Sequence, residues 1–90
     1  MTRADLEQLL SQERVRPDAY SLYGEVPDEC LCLLPEPGGW TVFYSERGER
    51  TGPRHFETEA EACDFIAMRL LADPGNRLQH GGPRAGDSRS

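Results

Sequence analysis

The chain of 90 residues contains no lysine, and this absence limits the partners it can bind. Ten arginines stand against sixteen carboxylates, which gives a formal net charge of −6 at pH 7. A protein that binds nucleic acid needs a basic face to displace counterions from phosphates, so the charge balance argues against that class. A phosphate-binding P-loop is also excluded, because Gly38-Gly39 lacks the required glycine spacing and a following lysine.

Long apolar runs are missing as well. No segment reaches the roughly 18 apolar residues of a membrane-spanning helix, and the segment MTRADLEQLL lacks the apolar region of a signal peptide. We therefore expect a cytoplasmic protein without a membrane partner. A domain of this size buries only about 60–65% of its unfolded surface, so a large internal substrate cavity is not expected.

Cysteine and histidine are scarce, which restricts the possible chemistry. Cys30, Cys32, Cys63 and His55 could be imagined as metal ligands, but the C-x-C spacing departs from the paired C-x2–4-C pattern of structural zinc sites. We interpret the cysteines as reduced core residues and His55 as a polar residue at a strand end. His80 falls in a predicted tail. The sequence thus predicts no catalytic residue, no metal and no cofactor.

Helices are indicated near both ends of the sequence. The first begins after Thr2, whose hydroxyl can accept a free amide, and ends ahead of Pro17. The second begins at Thr58, which with Glu61 matches the capping-box pattern, and ends at Asp73-Pro74-Gly75. Both helices carry one apolar stripe, so each must dock on another element.

Strands are predicted between the helices. Residues 29–34 have apolar side chains on both faces, which is typical of a central strand. Residues 40–44 have the aromatic and β-branched composition of a second strand. Residues 46–49 form a turn, because their glycine can adopt a positive φ. A return strand over residues 50–56 is expected to be interrupted, or placed at a sheet edge, at Pro53.

Together these elements predict one two-layer α+β domain. An antiparallel sheet of three to four strands would be flanked by an N-terminal and a C-terminal helix that cover one of its faces. The compact domain should span residues 1–75. Residues 76–90 are rich in Gly, Pro, Arg and Ser, and we expect them to form a disordered tail because they offer almost nothing apolar to bury.

Three segments resemble a known group of proteins. They are RPDAYSLYGEVPDE at residues 16–29, GWTVFYSERGERTG at residues 39–52 and HFETEAEACDFI at residues 55–66. They are similar to segments of small bacterial immunity proteins encoded beside polymorphic secreted toxins. Within that group, the chain looks most similar to proteins partnered with NAD-degrading toxins of type VI and related secretion systems. The resemblance covers about the first seventy residues.

The resemblance implies a function by binding alone, without catalysis. The protein would place acidic and aromatic groups into, or across, the mouth of its cognate toxin's active site and exclude the substrate. Tyrosine and arginine are the residue types that commonly anchor protein interfaces. The predicted contact residues are Tyr23, Asp28, Glu29, Tyr44, Glu46 and Arg47. The alternative function is that of a non-enzymatic adaptor or regulatory module, which binds an endogenous partner unrelated to toxins.

Overall fold

The chain folds as a helix, four strands and a second helix in the computed structural model, which describes residues 1–78. This order confirms the predicted α+β class. The main elements are α1 (Arg3–Gln12), β1 (Tyr20–Ser21), β2 (Cys30–Glu36), β3 (Gly39–Glu46), β4 (Glu49–Phe56) and α2 (Glu59–Leu71). One 3-10 turn, Pro17–Ala19, lies between α1 and β1, and another, Pro74–Asn76, follows α2.

The four strands lie side by side in chain order. Strands β2, β3 and β4 are antiparallel, as predicted, and each neighbouring pair is joined by a two-residue turn. The short β1 instead runs parallel to β2, with Tyr20 opposite Leu31, so the sheet is mixed rather than wholly antiparallel. A parallel pair normally needs a long crossover. Here β1 has only two residues, so the connection over residues 22–29 is long enough to return to the same end of the sheet.

Two prolines lie within strands, where they would normally interrupt the hydrogen-bond ladder. β2 continues through Pro35, beyond the predicted end at Leu34. This is possible because β1 pairs only with Leu31 and Cys32, so Pro35 has no strand on that side. Pro53 lies in β4, which is an edge strand as expected, next to a shift in the β3–β4 register.

The main core lies between the two helices and one face of the sheet, as the two-layer prediction required. Its buried members include Leu6 and Leu10 of α1, Leu31, Leu33 and Val42 of the sheet, and Cys63, Ile66 and Leu70 of α2. Because neighbouring strand residues point to opposite faces, Cys30, Cys32 and Phe43 form a separate, smaller cluster on the other side. The sheet therefore buries apolar side chains on both faces.

Polar side chains cover part of the second face. The guanidinium of Arg50 lies 4.5 Å from the ring centre of Phe43. Glu36 accepts a hydrogen bond of 2.6 Å from the hydroxyl of Thr41 and forms an ion pair of 3.4 Å with Arg50. The hydrogen bond from Thr41, followed by that from Arg50, lowers the pKa of Glu36. In the described part of the chain, a small polar network thus covers Phe43.

Both helices begin at a threonine cap, as predicted. At α1 the bonds are reciprocal, since the Thr2 hydroxyl accepts from the Asp5 amide (3.2 Å) and the Asp5 carboxylate accepts from the Thr2 amide (3.1 Å). At α2 the Thr58 hydroxyl accepts from the Glu61 amide (3.1 Å). Among the bonds formed within residues 1–78, the Thr58 amide does not donate to the Glu61 carboxylate. The complete capping box therefore belongs to α1, not to α2 as the sequence pattern suggested.

The folded chain extends beyond the predicted domain end at residue 75. The Arg16 amide donates to the Asn76 carbonyl (2.8 Å), and the Leu78 amide donates to the Arg14 carbonyl (2.6 Å). Val15 and Arg77 thereby form an antiparallel bridge. The start of the predicted tail is therefore held by backbone pairing, which its composition did not reveal. The rest of the predicted tail, including His80, lies outside the described residues.

Candidate protein-binding surface

The β3–β4 turn has an unusual residue at its tip. Arg47 and Gly48 are the two central residues, and both have a positive φ, of 53° and 81°. Positive φ at both positions is the requirement of a type I′ turn, which matches the twist of the flanking strands. Glycine was expected to adopt this conformation, but arginine was not. Arg47 holds its exposed side chain on a left-handed backbone, which disfavours residues with a Cβ.

The connection before β2 meets this turn. The Gly48 amide donates to the Asp28 carboxylate (3.2 Å), and the Glu29 amide donates to the Ser45 carbonyl (2.6 Å). Glu29 is also exposed and also has a positive φ, of 60°. Two chain segments thus combine at one end of the sheet. We call this the hairpin-end surface, which comprises Asp28, Glu29, Tyr44, Glu46 and Arg47.

Tyr44 is the aromatic member of the hairpin-end surface. Its side chain is 38% exposed, and it lies opposite Leu31 on the sheet face that carries the helices. Desolvation, followed by the negative charges of Glu29 and Glu46, raises the pKa of Tyr44. The phenol therefore stays protonated at neutral pH and offers a hydrogen-bond donor beside an apolar ring. This combination is common among interface anchors.

Tyr23, the sixth predicted contact residue, lies apart from the other five. It is 56% exposed, and its hydroxyl donates to Glu7 of α1 (3.4 Å). Desolvation and then the Glu7 carboxylate raise its pKa. Tyr23 and Asp28 both line a surface concavity of about 360 Å³ beside β1, whose lining includes Tyr20 and four carboxylates but no basic residue among the described ones. An acidic groove thus connects Tyr23 with the hairpin-end surface.

Arg3 has a central structural role that the sequence did not predict. Its guanidinium lies 5.0 Å from the ring centre of Tyr23 and 4.9 Å from that of Trp40. Its backbone amide and Nε donate to the Glu59 carboxylate at 2.8 and 3.3 Å, and its Nη1 donates to the Leu22 carbonyl at 3.3 Å. Arg3 therefore joins both helix N-termini to the sheet. No sequence signal marks a contact between residues 56 positions apart.

All three thiols are buried, which disfavours their thiolate form. Cys30 and Cys32 lie on one sheet face with their sulfurs 3.5 Å apart, whereas Cys63 lies in the core on the other face. The pKa of Cys32 is raised to about 12 and that of Cys63 to about 11, mainly because burial disfavours the charged thiolate. Their protonated, buried state agrees with the interpretation of the cysteines as core residues.

The remaining candidate for chemistry is His55, which is exposed on β4. One of its ring nitrogens lies 3.3 Å from the Gly38 carbonyl. Across residues 1–78, no group of three or more histidine, cysteine or acidic side chains is arranged to hold a metal ion. In the same part of the chain, no helix is both long and apolar enough to cross a membrane.

The fold and the surface together define a small α+β domain with an acidic groove and a charged, partly aromatic hairpin end. Comparison of the chain with protein-family models, curated proteins and solved structures found no match. The similarity to immunity proteins therefore depends on the three sequence segments and stays a hypothesis.

Proposed function

We propose that the protein is an immunity protein, which binds a cognate bacterial toxin and neutralises it by covering the toxin's active site. One observation carries the proposal. Glu29 and Arg47 are exposed charged residues on left-handed backbone, where glycine or asparagine would be more favourable. Such strained positions are often found at functional sites. Arg14 has the same features but lies alone at the end of α1, so the meeting of Glu29 and Arg47 on one surface, and not the strain by itself, supports a role of both side chains in binding.

The hairpin-end surface has the properties of a contact site. Tyr44 supplies a rigid, partly exposed ring that can be buried at low entropic cost, and Arg47 supplies a second anchor of the type enriched in interfaces. Asp28, Glu29 and Glu46 add negative charge around them. This charge speeds the encounter with a basic surface and penalises partners of the wrong sign.

The resemblance supports a toxin that degrades NAD as the partner. NAD carries a pyrophosphate, and a cleft that binds it presents backbone amides and positive charge. An acidic surface complements such a cleft electrostatically. The protein would therefore compete with the substrate by inserting carboxylates where the pyrophosphate binds.

Co-expression with the product of the adjacent gene tests the proposal. We expect the neighbouring protein alone to arrest growth and to deplete cellular NAD. Co-expression of the full chain should relieve both effects, and the two proteins should co-purify. The double change Glu46→Arg with Arg47→Glu should weaken the complex while the isolated protein keeps its melting temperature.

The outcomes separate the parts of the proposal. If growth arrest persists although the protein is folded and well expressed, the immunity function is wrong. If the protein protects cells from a toxin that leaves NAD intact, only the toxin class is wrong. A neighbouring gene without toxic activity, together with a stable complex with an endogenous protein, would favour the adaptor alternative.

A further inference from the structure

Two arginines contact a single phenyl ring on the helix-bearing face of the sheet. The guanidinium of Arg54, on β4, lies 5.0 Å from the ring centre of Phe65, and that of Arg69, on α2, lies 5.6 Å from it. Within residues 1–78 neither arginine forms an ion pair with a carboxylate. The contacts with Phe65 thus bring two positive charges to one ring on a chain of net charge −6.

A groove lies beside this pair. It is a surface concavity of about 250 Å³ lined by Leu31, Tyr44 and Arg69, among others, and we call it the Tyr44 groove. A neighbouring concavity of about 330 Å³ shares these three residues, but Glu29 and Asp73 also line it, so only the smaller one suits a negatively charged ligand. Arg69 is the only charged residue among those lining the smaller concavity in the described structure; the others there are apolar or neutral. The smaller concavity therefore combines an apolar floor with one positive group at its rim.

The irregular pairing of β3 with β4 coincides with the smaller concavity. The register shifts between Val42 and Tyr44, and Gly52 in the facing strand has a φ of 61°. A Cβ added at Gly52 would meet no other atom within 4 Å, so the space at this point is open. Bulges of this kind bend a strand and redirect its neighbours. The smaller concavity thus lies where the pairing of β3 with β4 is interrupted.

We propose that the Tyr44 groove binds a segment of a protein partner that carries a carboxylate next to an apolar side chain. The apolar side chain would pack against Leu31 and Val42 beside the Tyr44 ring. The carboxylate would accept charge-assisted hydrogen bonds from Arg69 at the rim and from Arg54, which is not among the lining residues but contacts the same Phe65 ring.

This acidic segment complements the rest of the proposed interface. The hairpin-end surface is mainly negative and suits a basic region, whereas the arginine pair suits an acidic one. Alternating signs across an interface fix the register of the partner and exclude other partners. The inference rests on the proposed function only for the identity of the partner, because the preference for a carboxylate can be measured without it.

A pair of short peptides tests the preference. The full chain, labelled with ¹⁵N, is titrated with Ac-Leu-Glu-Phe-Asp-Leu-amide and, as a matched control, with the uncharged Ac-Leu-Gln-Phe-Asn-Leu-amide. We expect the acidic peptide to shift the amide resonances of Tyr44, Phe65 and Arg69. The neutral peptide should bind about tenfold more weakly, since two charge-assisted hydrogen bonds are replaced by neutral ones.

Substitutions assign the effect to the two arginines. Arg54→Gln and Arg69→Gln should each lower the affinity for the acidic peptide roughly three- to tenfold. The double variant should bind the acidic and the neutral peptide with equal affinity. Arg14→Gln is the matched control, because Arg14 is exposed and lies outside the groove. It should leave the affinity unchanged. Unchanged melting curves confirm that each variant is folded.

Three results would overturn the inference. The first is the absence of shifts at about 5 mM peptide, where even a Kd of ~1 mM would be detected. The second is equal affinity for both peptides. The third is shifts confined to the acidic groove beside β1. None of these results bears on relief of growth arrest, so failure here is distinguishable from failure of the proposed function.

Discussion

Replacement of Arg47 by glycine should change the stability and the binding of this protein in opposite directions. The left-handed backbone at φ 53° costs a residue with a Cβ about 1–2 kcal/mol relative to glycine. Glycine loses about 0.5–1 kcal/mol more backbone entropy on folding, so the net gain should be about 0.5–1 kcal/mol. In a chain of this size, that gain raises the melting temperature by roughly 2–8 °C. Binding of the proposed partner should weaken, because the variant lacks the proposed Arg47 anchor.

Urea denaturation followed by circular dichroism measures the first effect, and the Kd of the purified complex measures the second. Arg14→Gly is the matched control, since Arg14 has a φ of 63° at the end of α1, away from the hairpin-end surface. It should stabilise the fold to a similar extent and leave the Kd unchanged. A variant Arg47→Gly that is not more stable would refute the strain argument. A stabilised variant with unchanged affinity would remove Arg47 from the interface.

Four further predictions concern the fold. Gly39→Ala should lower the free energy of unfolding by about 3 kcal/mol or more, because its Cβ would overlap the facing strand's backbone; a loss below about 1 kcal/mol would contradict this. Truncation after Gly75 should lower the free energy of unfolding by about 1–3 kcal/mol relative to a chain ending at Leu78. Equal melting curves for the two chains would show that the backbone pairing with residues 14–16 does not stabilise the fold. Arg3→Met should lower the free energy of unfolding by about 1–2 kcal/mol and shift the fluorescence of Trp40. An unchanged emission spectrum would argue against the stacking of Arg3 on the Trp40 ring. Finally, folding raises the pKa of Cys32 to about 12, so the contribution of its thiol to the free energy of unfolding is present below about pH 9 and is lost as the pH rises towards 12. Iodoacetamide should label the native protein at about pH 8 more slowly than the protein in urea, and equal rates would contradict the prediction.

The local patterns in the sequence predicted the helices and the three long strands well, because these elements depend on interactions between residues that are close together in the chain. Residues 29–34 were predicted to have apolar side chains on both sheet faces, and the structure places Leu31 and Leu33 on one face and Cys30 and Cys32 on the other. Gly48 marked the hairpin turn. The parallel pairing of β1 was not predictable in the same way. It depends on how residues 22–29 return along the sheet, which no local period encodes.

The structure shows where the predicted contact residues lie, and their role in binding stays a prediction. Five of the six predicted contact residues meet at one end of the sheet, because the connection before β2 and the β3–β4 turn are joined through Asp28 and Gly48. Tyr23 lies elsewhere, held beside Arg3 and Glu7. The left-handed backbone of Glu29 and Arg47 could not be foreseen, since neither residue type favours it.

The hydrogen bond between Asp28 and Gly48 has a consequence for how such a protein can diverge. It joins two chain segments twenty positions apart through a backbone amide, so the contact does not depend on the side chain at the turn. Neighbouring exposed positions, such as Glu46, can therefore be replaced at a cost within about 0.5 kcal/mol. If the hairpin-end surface binds the proposed partner, its specificity can change in small steps while the core stays constant, which would let a duplicated copy acquire a new specificity before it loses its fold.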